Sequence, residues 1–134
     1  MLFRSLICAS TAQGAVVVNA VEMNGDVVFT GSGTLDPSEW TFNGDETASA
    51  VVNPGTPTLI VGPNTPVPID LYEIAPEDFS GPADFGTDNP NFPDSGSGDL
   101  FGLFPIEGVP LLVVPAGYGG GGPLSGSSTY TGAT

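Results

Sequence analysis

The chain has 134 residues, of which 20 are glycine and 14 proline, and its 15 carboxylates face one basic residue, Arg4, with no histidine. The formal charge of −14 excludes nucleic acid and anionic membrane surfaces as partners, since both need Lys or Arg to neutralise phosphate. The length suits one domain, the 40% apolar content is enough for an ordinary core, and the glycines follow no G-X-Y period, which excludes collagen.

Met1 to Arg4 followed by Ser5-Leu6-Ile7-Cys8-Ala9 has the form of a short basic n-region and an apolar h-region. Small residues then occur at Ser10, Thr11, Ala12, Gly14 and Ala15, as a signal-peptidase site requires, so residues 1–14 read as a signal peptide and the chain as exported. A lipoprotein cut before Cys8 is disfavoured, because bulky Ile7 stands where a small residue is needed. The competing reading is a first β-strand behind a frayed terminus. Cleavage after Ala12 removes Arg4 and leaves a domain in which no carboxylate has a basic side chain to pair with. Cys8 is the single cysteine, so no intramolecular disulfide and no Cys/His zinc cluster can form.

Ala15 to Val21 is rich in β-branched residues, Asn24-Gly25 is the preferred pair for a two-residue hairpin turn, and residues 26–33 return with alternating character. This predicts a hairpin over 15–33. Asn43-Gly44 gives a second hairpin signal, with Trp40 and Phe42 before it and residues 48–52 after it. Two short apolar runs, 58–61 and 69–72, flank the turn residues Gly62-Pro63-Asn64-Thr65-Pro66. The Pro- and Asp-rich stretch 75–98 reads as a long, exposed, mobile loop. Strands are then expected at 100–104 and 109–114, Pro110 marking an edge or a strand start. After the loop Gly117 to Gly122, a last run spans Leu124 to Tyr130. Short strands separated by Gly/Pro turns predict an all-β antiparallel domain, a β-sandwich or jelly roll. No run approaches the ~20 apolar residues of a membrane helix.

Several segments recur, in this order, in one group of proteins: Ala15-Val16-Val17-Val18-Asn19, then 25–35 (GDVVFTGSGTL), then Asp94-Ser95-Gly96-Ser97-Gly98-Asp99-Leu100-Phe101-Gly102. Val113-Val114-Pro115-Ala116-Gly117-Tyr118 and 123–130 (PLSGSSTY) complete the pattern. On these segments most of residues 15–134 resemble the ectodomains of PEP-CTERM sorting-domain proteins of Gram-negative bacteria. The resemblance implies export through a cleaved leader, processing by an exosortase at a C-terminal anchor, and association with the cell envelope and extracellular polysaccharide. It implies no catalytic activity. Members of that family continue with another strand, a Val-Pro-Glu-Pro motif, a membrane helix and a basic cluster. Nothing of the kind follows Tyr130, so the β domain reads as incomplete at its C-terminus, and the membrane anchor is not carried over.

Without histidine there is no Ser-His-Asp triad, and without lysine no amine nucleophile. Glu73, Glu77 and Asp78 come nearest to a carboxylate pair of the glycosidase type, but 15 carboxylates bring some pair together by chance, and the expectation is no enzyme. Asp84, Asp88, Asp94 and Asp99, with Asn89 and Asn91, put six oxygen-bearing side chains on one stretch, and calcium takes six to eight oxygens from flexible loops. Pro90 and Phe92 fall where an EF-hand needs ligands, so the favoured reading is a solvated acidic loop, and a calcium loop is the alternative. No Lys-Ser/Thr follows Gly119 to Gly122, which excludes a phosphate cradle. Trp40, Phe42, Tyr72 and Tyr118 could stack on sugar; for Trp40 and Phe42 burial in the core is the stronger expectation. The function expected is therefore a non-catalytic protein of the envelope or extracellular matrix, with no cofactor. The alternative is a cation-dependent module that binds extracellular polysaccharide. Mutual repulsion of the carboxylates further predicts that stability rises as the pH falls from 7 toward about 5.

Overall fold

The computed structural model describes residues 6–8, 15–75, 80–81, 86–87 and 89–133. The predicted first hairpin is present as β2 (Val16–Met23) and β3 (Asp26–Thr34), with Asn24 and Gly25 at φ 54° and 89°. Both values are those of a type I′ turn, whose twist matches the two strands it joins. A three-residue strand, β1 (Leu6–Cys8), adds to the outer edge of β2, so the segment read as a leader contributes one strand. The remainder of residues 1–14 lies outside the described residues.

Asn43-Gly44 does not turn the chain. It sits inside one continuous strand, β4 (Thr41–Ala48), and the pairing shifts by one residue between Phe42 and Gly44. The glycine, at φ 145°, serves a β-bulge rather than a hairpin. Next follow β5 (Val51–Asn53), β6 (Thr58–Val61) and β7 (Val67–Glu73). The loop expected over 75–98 ends early, because Ser95–Gly98 pairs as β8, and Asn91 forms a bridge with Val52 of β5. The late strands appear as β9 (Phe101–Ile106), β10 (Val109–Pro115) and β11 (Pro123–Tyr130).

The strands form two antiparallel sheets, in the orders β1-β2-β3-β11-β8 and β4-β7-β10-β9-β6-β5, and the fold is an all-β sandwich. The core between them combines Val16, Val18 and Leu124 of the first sheet with Val61, Phe101, Leu112 and Val114 of the second. Each such side chain, fully buried, contributes about 1.5–3 kcal/mol. A void of about 20 Å³ in this core is lined only by apolar residues and Gly102, which leaves a water nothing to bond.

The second sheet has a second core on its other face, made of Ala50, Ile60, Ile69, Leu71, Leu100, Leu111 and Val113. Connectivity explains how that face is covered. β4 and β5 are the two edges of a six-stranded sheet, yet only Ser49 and Ala50 join them. Three Cα–Cα steps span at most about 11 Å, whereas the edges of a flat six-stranded sheet lie about 24 Å apart. The sheet therefore rolls over its own outer face, and Ala50 is completely buried in the seam, with its N–H donating to Pro63 O.

This accounts for the unbroken apolar run Leu111-Leu112-Val113-Val114. Odd positions face the rolled interior and even positions face the sandwich, so β10 is buried on both sides. Pro110 is tolerated in this central strand because its pair with Pro105 of β9 is non-hydrogen-bonded, and its other side faces Ile74, past the end of β7, where its carbonyl accepts from Ile74 N–H and no ladder bond needs a Pro110 N–H. It marks a strand start, not an edge.

Candidate functional site

Side chains alternate across a strand, and in β11 this sends Leu124, Gly126, Ser128 and Tyr130 inward and Ser125, Ser127 and Thr129 outward. The neighbouring strands match it. Thr30 and Ser32 on β3 and Ser95 and Ser97 on β8 point the same way, with Asn19 on β2 beyond. The register sets Asn19, Thr30, Ser127 and Ser97 side by side in one row across four strands, and Ser32 and Ser125 side by side in the next. Neighbours within a row are about 4.8 Å apart and the rows about 6.8 Å.

These residues line a shallow groove of about 350 Å³, floored by Gly31, Gly98 and Gly126. Ser97 and Ser127 place their hydroxyl oxygens 3.5 Å apart, and the exposed Thr30, Ser32 and Ser125 leave theirs open to solvent. Among the described residues no carboxylate lines the groove, although the chain carries 15. A hydroxyl donates and accepts at once, so the surface suits a neutral, hydroxyl-rich ligand.

The carboxylates of the candidate calcium loop are placed differently. Asp94 and Asp99 flank β8 at its opposite ends, about 16 Å apart at the rise of an extended chain. Asp94 Oδ2 accepts from the Thr131 N–H at 2.7 Å, and Asp99 Oδ2 accepts from the Ser125 N–H at 3.0 Å. The backbone N–H of Thr131 holds the Asp94 carboxyl below the usual carboxylate range. Each is thus a backbone cap, and the fold does not bring the two together. Asp84 and Asp88 lie outside the described residues, as do Glu77 and Asp78. Asn89 and Asn91 belong to a segment pinned to β5: Asn89 N–H donates to Asn53 Oδ1, and Asn91 exchanges backbone bonds with Val52. Among the described residues no three acidic, Cys or His side chains converge as metal ligands would.

The four candidate aromatics do not form one platform. The Tyr118 hydroxyl accepts from Leu35 N–H at 3.1 Å and lies 2.6 Å from Gly122 O and 3.1 Å from Leu35 O, tying the glycine loop to the chain after β3. Trp40 packs against the sandwich core as expected, and its buried Nε1 has no hydrogen-bond partner among the described residues. Phe42 does not. It is 55% exposed, meets Tyr72 edge-on at 5.6 Å, and lies on the edge strand β4.

The groove went unread in the sequence, although its signal is there: Ser or Thr at alternate positions in 30–32, 95–97 and 125–129. Interleaved glycines make such segments look like turns. No family model, curated protein or solved structure matches the chain.

Proposed function

We propose that the protein is a non-catalytic component of the bacterial envelope or extracellular matrix, which meets uncharged polysaccharide through the hydroxyl face of its first sheet. One observation carries this reading. In a chain of charge −14, the groove formed by Asn19, Thr30, Ser32, Ser97, Ser125 and Ser127 has no carboxylate among its described lining residues and is rich in groups that can replace the hydrogen bonds of a polyol with water. The resemblance to PEP-CTERM ectodomains supports export and an envelope setting. The lack of histidine and lysine supports a binding role over a catalytic one.

Affinity electrophoresis through gels containing a neutral glucan tests the reading. The protein is expected to be retarded, and the exposed-face variant Thr30→Glu/Ser127→Glu to migrate freely. Equal mobility of the two proteins would contradict it. Retardation abolished by a calcium chelator would favour a cation-dependent module instead.

A further inference from the structure

The two sheets end in β1, β8, β4 and β5, and an open strand edge accepts a strand from another chain unless something guards it. β4 carries a bulge between Phe42 and Gly44 and two carboxylates, Asp45 and Glu46. β5 is bridged by Asn91, and β8 is four residues long between Asp94 and Asp99. β2, just inside β1, has no such protection, since Val16 to Val21 holds no proline and no charge. Among the described residues only the three-residue β1 covers it, through the pairs Leu6–Val18, Ile7–Val17 and Cys8–Val16.

The backbone of β2 is set for a longer partner. Thr34 N–H donates to Ala15 O, and these residues are directly opposite in the β2–β3 register, so the odd positions of β2 bond to β3. Val16, Val18 and Ala20 therefore turn their N–H and C=O groups to the outer edge, where β1 reaches only the first two. The side chains of the same three residues are buried in the core.

We propose that β1 is a removable guard. When it leaves with the leader, a step that rests on the export proposed above, two copies of the chain pair β2 to β2, antiparallel about Val18. Val18 then faces its own counterpart, and Val16 of each copy faces Ala20 of the other. Each of these residues donates once and accepts once across the junction. Charge does not oppose the join. Glu22, the one carboxylate on β2, comes to lie about 27 Å along the strands from its counterpart, well beyond the ~8 Å screening length at physiological salt. The two-fold axis is normal to the joined sheet, so the hydroxyl grooves of both copies share one face.

Sedimentation velocity on the full chain and on Leu6→Pro/Cys8→Pro tests the guard. The two prolines remove the N–H groups with which β1 bonds Val18 and Val16, so β1 lifts off. An edge-to-edge interface is small and weak, so the readout belongs at millimolar protein. There the full chain is expected to stay monomeric and the proline variant to double in mass. Adding Val17→Glu/Asn19→Glu sets like charges opposite each other in both cross-copy pairs and should return the variant to monomer. In amide exchange, Ala20 of the proline variant should gain protection with concentration, while Val17 and Val21, bonded to β3, stay protected and show that the sheet is folded. If the prolines unfold the sheet, Leu6→Gly/Ile7→Gly/Cys8→Gly takes their place. A β1-weakened chain that remains monomeric would overturn the proposal, as would a full chain that dimerises equally or dimers that survive the glutamates. An exported protein that keeps residues 1–14, read by N-terminal sequencing, would overturn the removal step by itself.

Discussion

Ser128 bonds both backbone groups of Gly62: its hydroxyl accepts from the Gly62 N–H at 2.9 Å and donates to the Gly62 carbonyl at 3.0 Å. Ser128 lies on β11 and Gly62 follows β6, so this buried pair joins the two sheets. A serine among the inward residues of a core strand is explained by that double bond.

Removing the hydroxyl strands a buried donor and a buried acceptor. Ser128→Ala is expected to cost about 2–4 kcal/mol, on the scale of two unsatisfied polar groups. For a domain of this size that lowers Tm by roughly 5–15 °C. Thermal unfolding followed by circular dichroism checks it. A loss of under a degree would mean that water replaces the serine without penalty.

The same contact dictates the glycines around it. A Cβ on Gly96 would sit 2.0 Å from Gly62 O, and one on Gly126 would sit 2.3 Å from Asp99 O. The sheets can approach only where these positions lack side chains. Gly96→Ala is therefore expected to destabilise by about 3 kcal/mol or more, at the upper end of overpacking costs. Gly119→Ala, with open space around it, should change stability by less than about 0.5 kcal/mol. Urea midpoints for the two variants make the comparison, and similar losses in both would contradict the close-approach argument.

Asp45 on β4 is directly opposite Asp70 on β7, a like-charged cross-strand pair. Such pairs destabilise, and opposite charges at the same positions stabilise by about 0.2–1 kcal/mol. Asp45→Lys is expected to raise stability by about that amount at low ionic strength, and the gain should shrink in 1 M salt. A chemical-denaturation series at two salt concentrations reads this directly. A variant less stable than the parent at low salt would contradict the pairing.

The pH profile should fall on its acid side, because the carboxylates whose ionisation the fold visibly shifts are both lowered. The Ser38 side chain and N–H lower Asp36, and the Thr131 N–H lowers Asp94. A carboxylate lowered in the folded state stabilises above its unfolded value of 3.8, and that contribution is lost as the pH falls through the lower folded value. Tm should therefore fall as the pH drops below about 4. A Tm that holds level or rises down to pH 2.5 would show that these two caps contribute nothing.

Much of the fold was legible in the sequence because several signals were local. Asn24-Gly25 turns between two β-branched runs that pair with each other, so dipeptide and context agree. The identical dipeptide at Asn43-Gly44 misleads, because the strand beyond it continues against β7 and the glycine is used for a bulge. Ser95 to Gly98 resembles a turn by composition and is a strand by necessity, since Gly96 must pass under Gly62. That requirement depends on a residue 34 positions earlier, which no local pattern reveals. The candidate calcium residues failed to converge for a related reason. Asp94 and Asp99 are close in sequence, but four extended residues hold them apart, and each caps a different amide of the last strand or its exit. The alternating Ser and Thr of the hydroxyl face stand in the sequence, but their alignment into rows depends on the register of four strands.

Mapping backbone amide chemical shifts during titration with a neutral oligosaccharide tests the central claim most directly. The account predicts perturbations concentrated at Asn19, Thr30, Ser32, Ser97, Ser125 and Ser127, unchanged by calcium. Perturbations centred instead on Phe42 and Tyr72, or none at millimolar ligand, would contradict it.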